Sequence, residues 1–81
     1  MISPEQIRAG RALLGITQSE LAERAGISTT GLNNIERGNA DPKASTLRAI
    51  EAALSEGGVI FLSDGQSIDG GPGVRLAKRK A

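Results

Sequence analysis

Residues 17–38, T-Q-S-E-L-A-E-R-A-G-I-S-T-T-G-L-N-N-I-E-R-G, pack two helix starts and a helix stop into one short stretch, which leaves the backbone there few choices. Thr17 and Glu20 have capping-box spacing, Leu21, Ala22 and Ala25 recur at helical intervals, and Gly26 supplies the conformation that ends a helix. Ser28 then caps a second helix. Leu32 and Ile35 fall on its inner face, while Thr29, Thr30, Asn33 and Asn34 fill the other with short, uncharged hydrogen-bonding groups. The spacing predicts two short helices joined by a glycine turn, the second with a polar outer face.

Upstream, Ser3-Pro4-Glu5-Gln6 combines an N-cap, a proline at the first helical position and a capping-box glutamine, predicting a helix over 4–14 that Gly15 ends. Ile7, Gly10, Leu14 and the stem of Arg11 share one side of it. After Gly38, Asn39-Ala40-Asp41-Pro42 reads as a turn, and Leu47, Ile50, Ala53 and Leu54 predict a fourth helix over 45–55.

From residue 57 the pattern changes to two short strands. Val59, Ile60, Phe61 and Leu62 form a continuous apolar run, whereas residues 74–78 alternate around Val74 and Leu76. The segment between them is rich in glycine, with an Asp64-Gly65 turn signal and a Pro72 that resists ladder pairing. The expected fold is therefore mainly α: four helices over residues 1–56, then a C-terminal two-stranded antiparallel β ribbon with a basic tail over 57–81.

An isolated ribbon is marginal in water, and an apolar run without polar alternation needs cover on both faces. The helices supply one cover. The ribbon of a second copy is the expected other, through Val59, Ile60, Phe61, Leu62, Val74 and Leu76, giving a four-stranded sheet across a two-fold axis. The alternative is a ribbon covered by its own helices alone.

With 81 residues the chain suffices for one small core, near the limit at which a domain stabilises itself without staples or a partner. It has no cysteine and no histidine, so disulfides, thiolate or imidazole metal sites, and Cys–His or Ser–His catalysis are excluded. No cofactor is expected. The opening M-I-S-P-E-Q-I-R has no apolar signal region and no apolar run approaches membrane-spanning length, so a cytoplasmic protein with no membrane partner is expected.

Formal charge is +1, and it is unevenly placed. Through residue 56 the basic residues Arg8, Arg11, Arg24, Arg37, Lys43 and Arg48 face the acidic Glu5, Glu20, Glu23, Glu36, Asp41, Glu51 and Glu56. The helical part is thus slightly acidic. The positive excess lies at the end, in Arg75, Lys78, Arg79 and Lys80.

Gln18, Leu21-Ala22, Gly26-Ile27-Ser28, Leu32, Ile35-Glu36 and Gly38 together resemble the Xre/Cro-like helix-turn-helix family of phage and bacterial repressors. Arg11, Leu14-Gly15, Pro42, Thr46-Leu47, Ile50 and Ala53-Leu54 extend the resemblance over about two thirds of the chain. It implies a lambda-repressor-like helical DNA-binding domain. Two departures stand out: the strand ribbon replaces the usual fifth helix, and the several lysines and arginines often found after the third helix reduce here to Lys43 and Arg37.

The candidate DNA-binding residues follow. Gln18 starts the second helix, where a long amide reaches a phosphate beside free backbone N–H groups, a role the resemblance also implies. Thr17 and Ser28 cap the two helices next to the same surface. Thr29, Thr30, Asn33 and Asn34 are the base-reading set, since threonine bonds base edges and packs on the thymine methyl, while asparagine pairs with adenine. Arg37, Asn39 and Lys43 flank the path of the phosphates in this docking mode; without DNA they are solvated surface groups. Arg11 and Glu36 occupy otherwise core-facing positions, and the resemblance pairs them as a structural salt bridge.

The leading functional expectation is a homodimeric, sequence-specific regulator of double-stranded DNA, with repression implied by the family. The competing class is an antitoxin or co-regulator whose C-terminal strands capture a partner protein, such as a toxin. An enzyme is disfavoured, because no carboxylates pair sensibly and no nucleophile has a base. Phe61, the lone aromatic, also argues against single-strand stacking.

Overall fold

The computed structural model describes residues 1–66 and 68–78. Four helices, α1 (Pro4–Leu14), α2 (Gln18–Ala25), α3 (Thr29–Glu36) and α4 (Ala44–Glu56), precede two strands, β1 (Val59–Leu62) and β2 (Gly73–Leu76). The expected class, four helices and a terminal antiparallel ribbon, is what the chain adopts. Of the terminal basic cluster, Arg79 and Lys80 lie outside the described residues.

The local signals act as their chemistry requires. Ser3 Oγ accepts from the Gln6 N–H at 3.1 Å while Gln6 Oε1 accepts from the Ser3 N–H at 2.9 Å, closing a reciprocal cap on α1. Thr17 and Glu20 do the same for α2. Gly15 and Gly26 end α1 and α2 in the left-handed region, with φ of 67° and 72°, which side-chain-bearing residues occupy only with strain.

Three boundaries differ from expectation, the first being β2, which runs over Gly73–Leu76 rather than 74–78. Lys43 takes the cap position of α4 without a side-chain hydrogen bond, so the helix begins at Ala44 and runs to Glu56 rather than over 45–55. The turn after α3 falls at Arg37 and Gly38, where the Gly38 N–H reaches the Ile35 carbonyl and the Asn39 N–H reaches the Asn34 carbonyl, each at 3.0 Å. Residues 39–43 then run without regular structure, and the turn expected at Asn39-Ala40-Asp41-Pro42 is not formed.

One core holds the molecule together. Ile7 of α1, Leu21 and Ala22 of α2, Leu32 and Ile35 of α3, and Ile50, Ala53 and Leu54 of α4 are buried, and Ile2, before α1, and Val59, in β1, join them. Gly10 lets α1 approach closely: a Cβ there would stand 3.2 Å from Leu54 Cδ1 and 3.5 Å from Val59 Cγ1. Gly58, at φ 109°, makes the bend from α4 into β1 that an L side chain would resist.

β1 and β2 pair antiparallel in the register Val59↔Leu76, Ile60↔Arg75, Phe61↔Val74 and Leu62↔Gly73. Beyond the strand ends the Ala77 N–H donates to the Gly58 carbonyl at 2.8 Å, which makes Gly58 and Ala77 a hydrogen-bonded pair. Alternation along an antiparallel ladder then makes Ile60–Arg75 and Leu62–Gly73 hydrogen-bonded pairs too, and turns the N–H and C=O groups of Val59, Phe61, Val74 and Leu76 outward. The inward side chains Val59, Phe61 and Val74 pack on the core, but the face bearing Ile60 is open.

Gln6 fastens the ribbon to α1. Having accepted the Ser3 N–H with its oxygen, it donates from Nε2 to the carbonyls of Leu62 at 3.2 Å and Gly73 at 3.0 Å. One buried amide thus closes a helix cap and anchors the far end of a two-stranded sheet. Replacing Gln6 with alanine removes these bonds from part-buried backbone groups and is expected to lower unfolding stability by about 1–3 kcal/mol in urea titrations. Amide exchange in the ribbon should accelerate more than exchange in α2 and α3.

Candidate nucleic-acid interface

The polar surface expected on α3 forms where α2 and α3 meet. Thr17 caps α2 with its side-chain oxygen, 3.1 Å from the Glu20 N–H, and is exposed. Ser28 caps α3 by accepting from the Gly31 N–H at 2.9 Å. A Cβ on Gly31 would lie 3.0 Å from that same hydroxyl, so the glycine gives the cap room.

Thr29, Thr30 and Asn34 are exposed, and among the described residues their side chains form no hydrogen bonds within the protein. Asn33 is half-buried and accepts from Gln18 Nε2 at 3.4 Å. Because Asn33 stands one turn beyond Thr29 and Thr30, this bond sets the first turn of α2 against the polar row of α3. The two elements therefore share one surface.

Glu36 lies beneath that surface, only 2% exposed, at the last turn of α3. Arg11 meets it with both ends of a planar fork: Nε donates to Oε2 and Nη2 to Oε1, each at 3.0 Å. Arg11 also donates from Nη1 to the Ile16 carbonyl at 3.2 Å, bracing the link between α1 and α2. Gln18 completes the carboxylate's shell, donating from Nε2 to Glu36 Oε1 at 3.1 Å. The pairing of Arg11 with Glu36 that the sequence resemblance implied is present in the structure.

Gln18 occupies its anticipated place at the start of α2, but its amide hydrogens point inward, to Glu36 and Asn33. The donors left facing outward there are the backbone N–H groups of Gln18 and Ser19, which precede the first intrahelical bond of α2. Arg37, Asn39 and Lys43 are exposed beyond the end of α3. Arg37 and Asn39 follow the end of α3 opposite Thr29 and Thr30, and Lys43 caps α4.

Arg8 was not singled out from the sequence. From α1 it donates to the Glu36 carbonyl, placing a positive charge on the C-terminal end of α3, where the helix dipole favours one. Its position three residues before Arg11, on the same side of α1, was the available signal.

Residues 7–56 match the helix-turn-helix family model. No curated protein matches the chain. Among solved structures, the DNA-binding domain of the P22 c2 repressor, determined in solution over its residues 1–76, aligns with a TM-score of 0.62 and 33% sequence identity. The alignment covers 68% of this chain and 72% of that domain.

Removing one side of a buried, hydrogen-bonded ion pair costs about 3–5 kcal/mol, because the other charge stays behind without a partner. Glu36→Gln is expected to reveal much of this as a lowered melting temperature; an unchanged value would show that the Arg11 pair does not hold α3 in place. The match over most of the helical part, the shared architecture and the cap-and-turn residues together establish that the chain belongs to the Xre/Cro-like helix-turn-helix family of DNA-binding transcription regulators.

Proposed function

We propose that this protein is a homodimeric repressor that reads the major groove of a palindromic operator in double-stranded DNA. Residues 1–56 do the reading and the ribbon of residues 57–81 joins two copies. The observation that carries the proposal is the exposed pair Thr29 and Thr30, whose side chains bond to none of the described residues, at the start of α3 in a fold shared with a repressor's DNA-binding domain.

In this reading Thr29 and Thr30 address base edges, with Asn34 one turn behind and Asn33 tied to α2. The backbone N–H groups of Gln18 and Ser19 hold a phosphate, while Thr17 and Ser28 fix the two helix starts that flank it. Arg37, Asn39 and Lys43 contact the backbone farther along, carrying register rather than sequence. Arg11 and Glu36 remain scaffold. In this reading the protein works in the cytoplasm, and no step is catalytic.

A second reading, an antitoxin or co-regulator that captures another protein, draws support from the outward-facing N–H and C=O groups of the ribbon, which suit strand addition. Co-expression with the product of an adjacent gene, followed by co-purification, distinguishes it.

Selection of bound sequences from a random duplex library tests the leading proposal. A two-fold symmetric consensus is expected, and recovery of no consensus would contradict it. On the selected site, Thr30→Ala is expected to relax preference at one base pair by about 1–3 kcal/mol. Lys43→Ala is expected to weaken specific and random duplexes alike; equal losses on both for Thr30→Ala would remove that residue from base readout.

A further inference from the structure

The polar row that the proposed function sets against DNA carries two threonines and two asparagines, and the structure separates the asparagines. As a carboxylate paired with Arg11, Glu36 accepts hydrogen bonds and donates none, so the Gln18 atom 3.1 Å from its Oε1 is the amide nitrogen. The second hydrogen of that nitrogen goes to Asn33 Oδ1 at 3.4 Å. Asn33 is thereby held with its oxygen toward α2. Bidentate pairing with adenine turns an amide oxygen and nitrogen together to N6 and N7 of one base, and Asn33 has to leave Gln18 to offer them. Asn34 has no such tie: it is exposed, and its side chain bonds to none of the described residues.

The chemistry of the row also narrows the base pair. Glu36 is the only charged side chain among the eight residues of α3, and it is buried. An arginine or lysine, the usual partner of guanine O6 and N7, is therefore missing from the helix, as is an exposed carboxylate to take the cytosine amino group. Arg37, which follows the last turn, belongs in the proposed reading to the DNA backbone. What the row offers is the Asn34 amide and, four residues earlier on the same face, the methyl and hydroxyl of exposed Thr30. An asparagine pairs with adenine, and a threonine methyl packs on the methyl of thymine. Four residues of helix advance about 6 Å, close to two base-pair steps of about 3.4 Å.

We infer that the duplex is read through A·T pairs: Asn34 donates to N7 and accepts from the N6 amino group of one adenine, and Thr30 packs its methyl on a thymine within about two base pairs of it. Asn33 is a positioning residue for α3 and takes no part in adenine readout. This rests on the DNA-reading proposal and holds for one bound copy or two.

The test titrates wild-type protein against its selected duplex and against copies in which each adenine in turn becomes 7-deazaadenine, which lacks the N7 acceptor, or each thymine becomes uracil, which lacks the methyl. At one adenine the replacement is expected to weaken wild-type binding about fivefold. Asn34→Ala should bind those two duplexes alike, whereas Asn33→Ala should keep the difference. At a thymine within about two base pairs, uracil should weaken wild-type binding about threefold and leave Thr30→Ser, which retains the hydroxyl, indifferent. Asn34 and Thr30 are exposed, so both variants are expected to keep wild-type helix content. Wild-type affinity unchanged by 7-deazaadenine at every adenine, or a difference that Asn34→Ala retains or Asn33→Ala loses, would overturn the adenine assignment and leave DNA reading standing. Indifference of the wild-type protein to uracil at every thymine would remove Thr30 from it. A random library that yields no consensus would overturn the inference and the DNA-reading proposal together.

Discussion

The carboxylate of Glu36 is the group around which the helical part is arranged. A charge that is 98% withdrawn from water is tolerable only when its lone pairs are taken, and here three donors from two other helices take them: Nε and Nη2 of Arg11 and Nε2 of Gln18. Arg8 adds a fourth contact, to the carbonyl of the same residue. Because the donors come from α1 and α2 while the acceptor sits at the end of α3, one carboxylate ties α3 to both earlier helices. The polar row of Thr29, Thr30, Asn33 and Asn34 lies on the helix so held. A well-packed apolar substitute could match the pair in stability, but it would not tie Gln18, and through it Asn33, to the same point.

The parts of this architecture that could be read from the sequence are those written by residues close together in the chain. Capping boxes at Ser3 and Thr17, the cap at Ser28, and the stops at Gly15 and Gly26 each involve partners within a few positions, so the starts of three helices and the ends of the first two emerge as anticipated. The fourth helix begins earlier than anticipated because Lys43 caps it with backbone conformation alone, which leaves no side-chain signal. The ribbon was legible as strands from Val59–Leu62, but its anchoring was not. Gln6 reaches Leu62 and Gly73 across most of the chain length, and nothing in its local sequence distinguishes a capping amide from one that also holds a sheet.

The candidate site shows the same division. Thr29 and Thr30 are placed by helical periodicity and stand exposed as anticipated. Gln18 was correctly placed at the start of α2, yet its side chain turns to Glu36, because a buried carboxylate with an unfilled lone pair is a stronger local demand than solvent. That orientation could be derived only once Arg11 and Glu36 were known to meet.

Charge decides how such a surface works. The helical part carries no basic excess, so in the proposed reading the counterion-release term that usually dominates DNA affinity is small, and a single copy would bind with only a few phosphate contacts and two threonines. The proposed joining of two copies would turn the second contact into an intramolecular event, with an effective concentration of order millimolar and no need for added charge. We propose that useful affinity comes from this linkage. It is tested most directly by titrating the protein against duplexes that carry one or both halves of its selected site at fixed salt. The expected result is binding at least about a hundredfold tighter with both halves present; equal affinity for the two duplexes would contradict it.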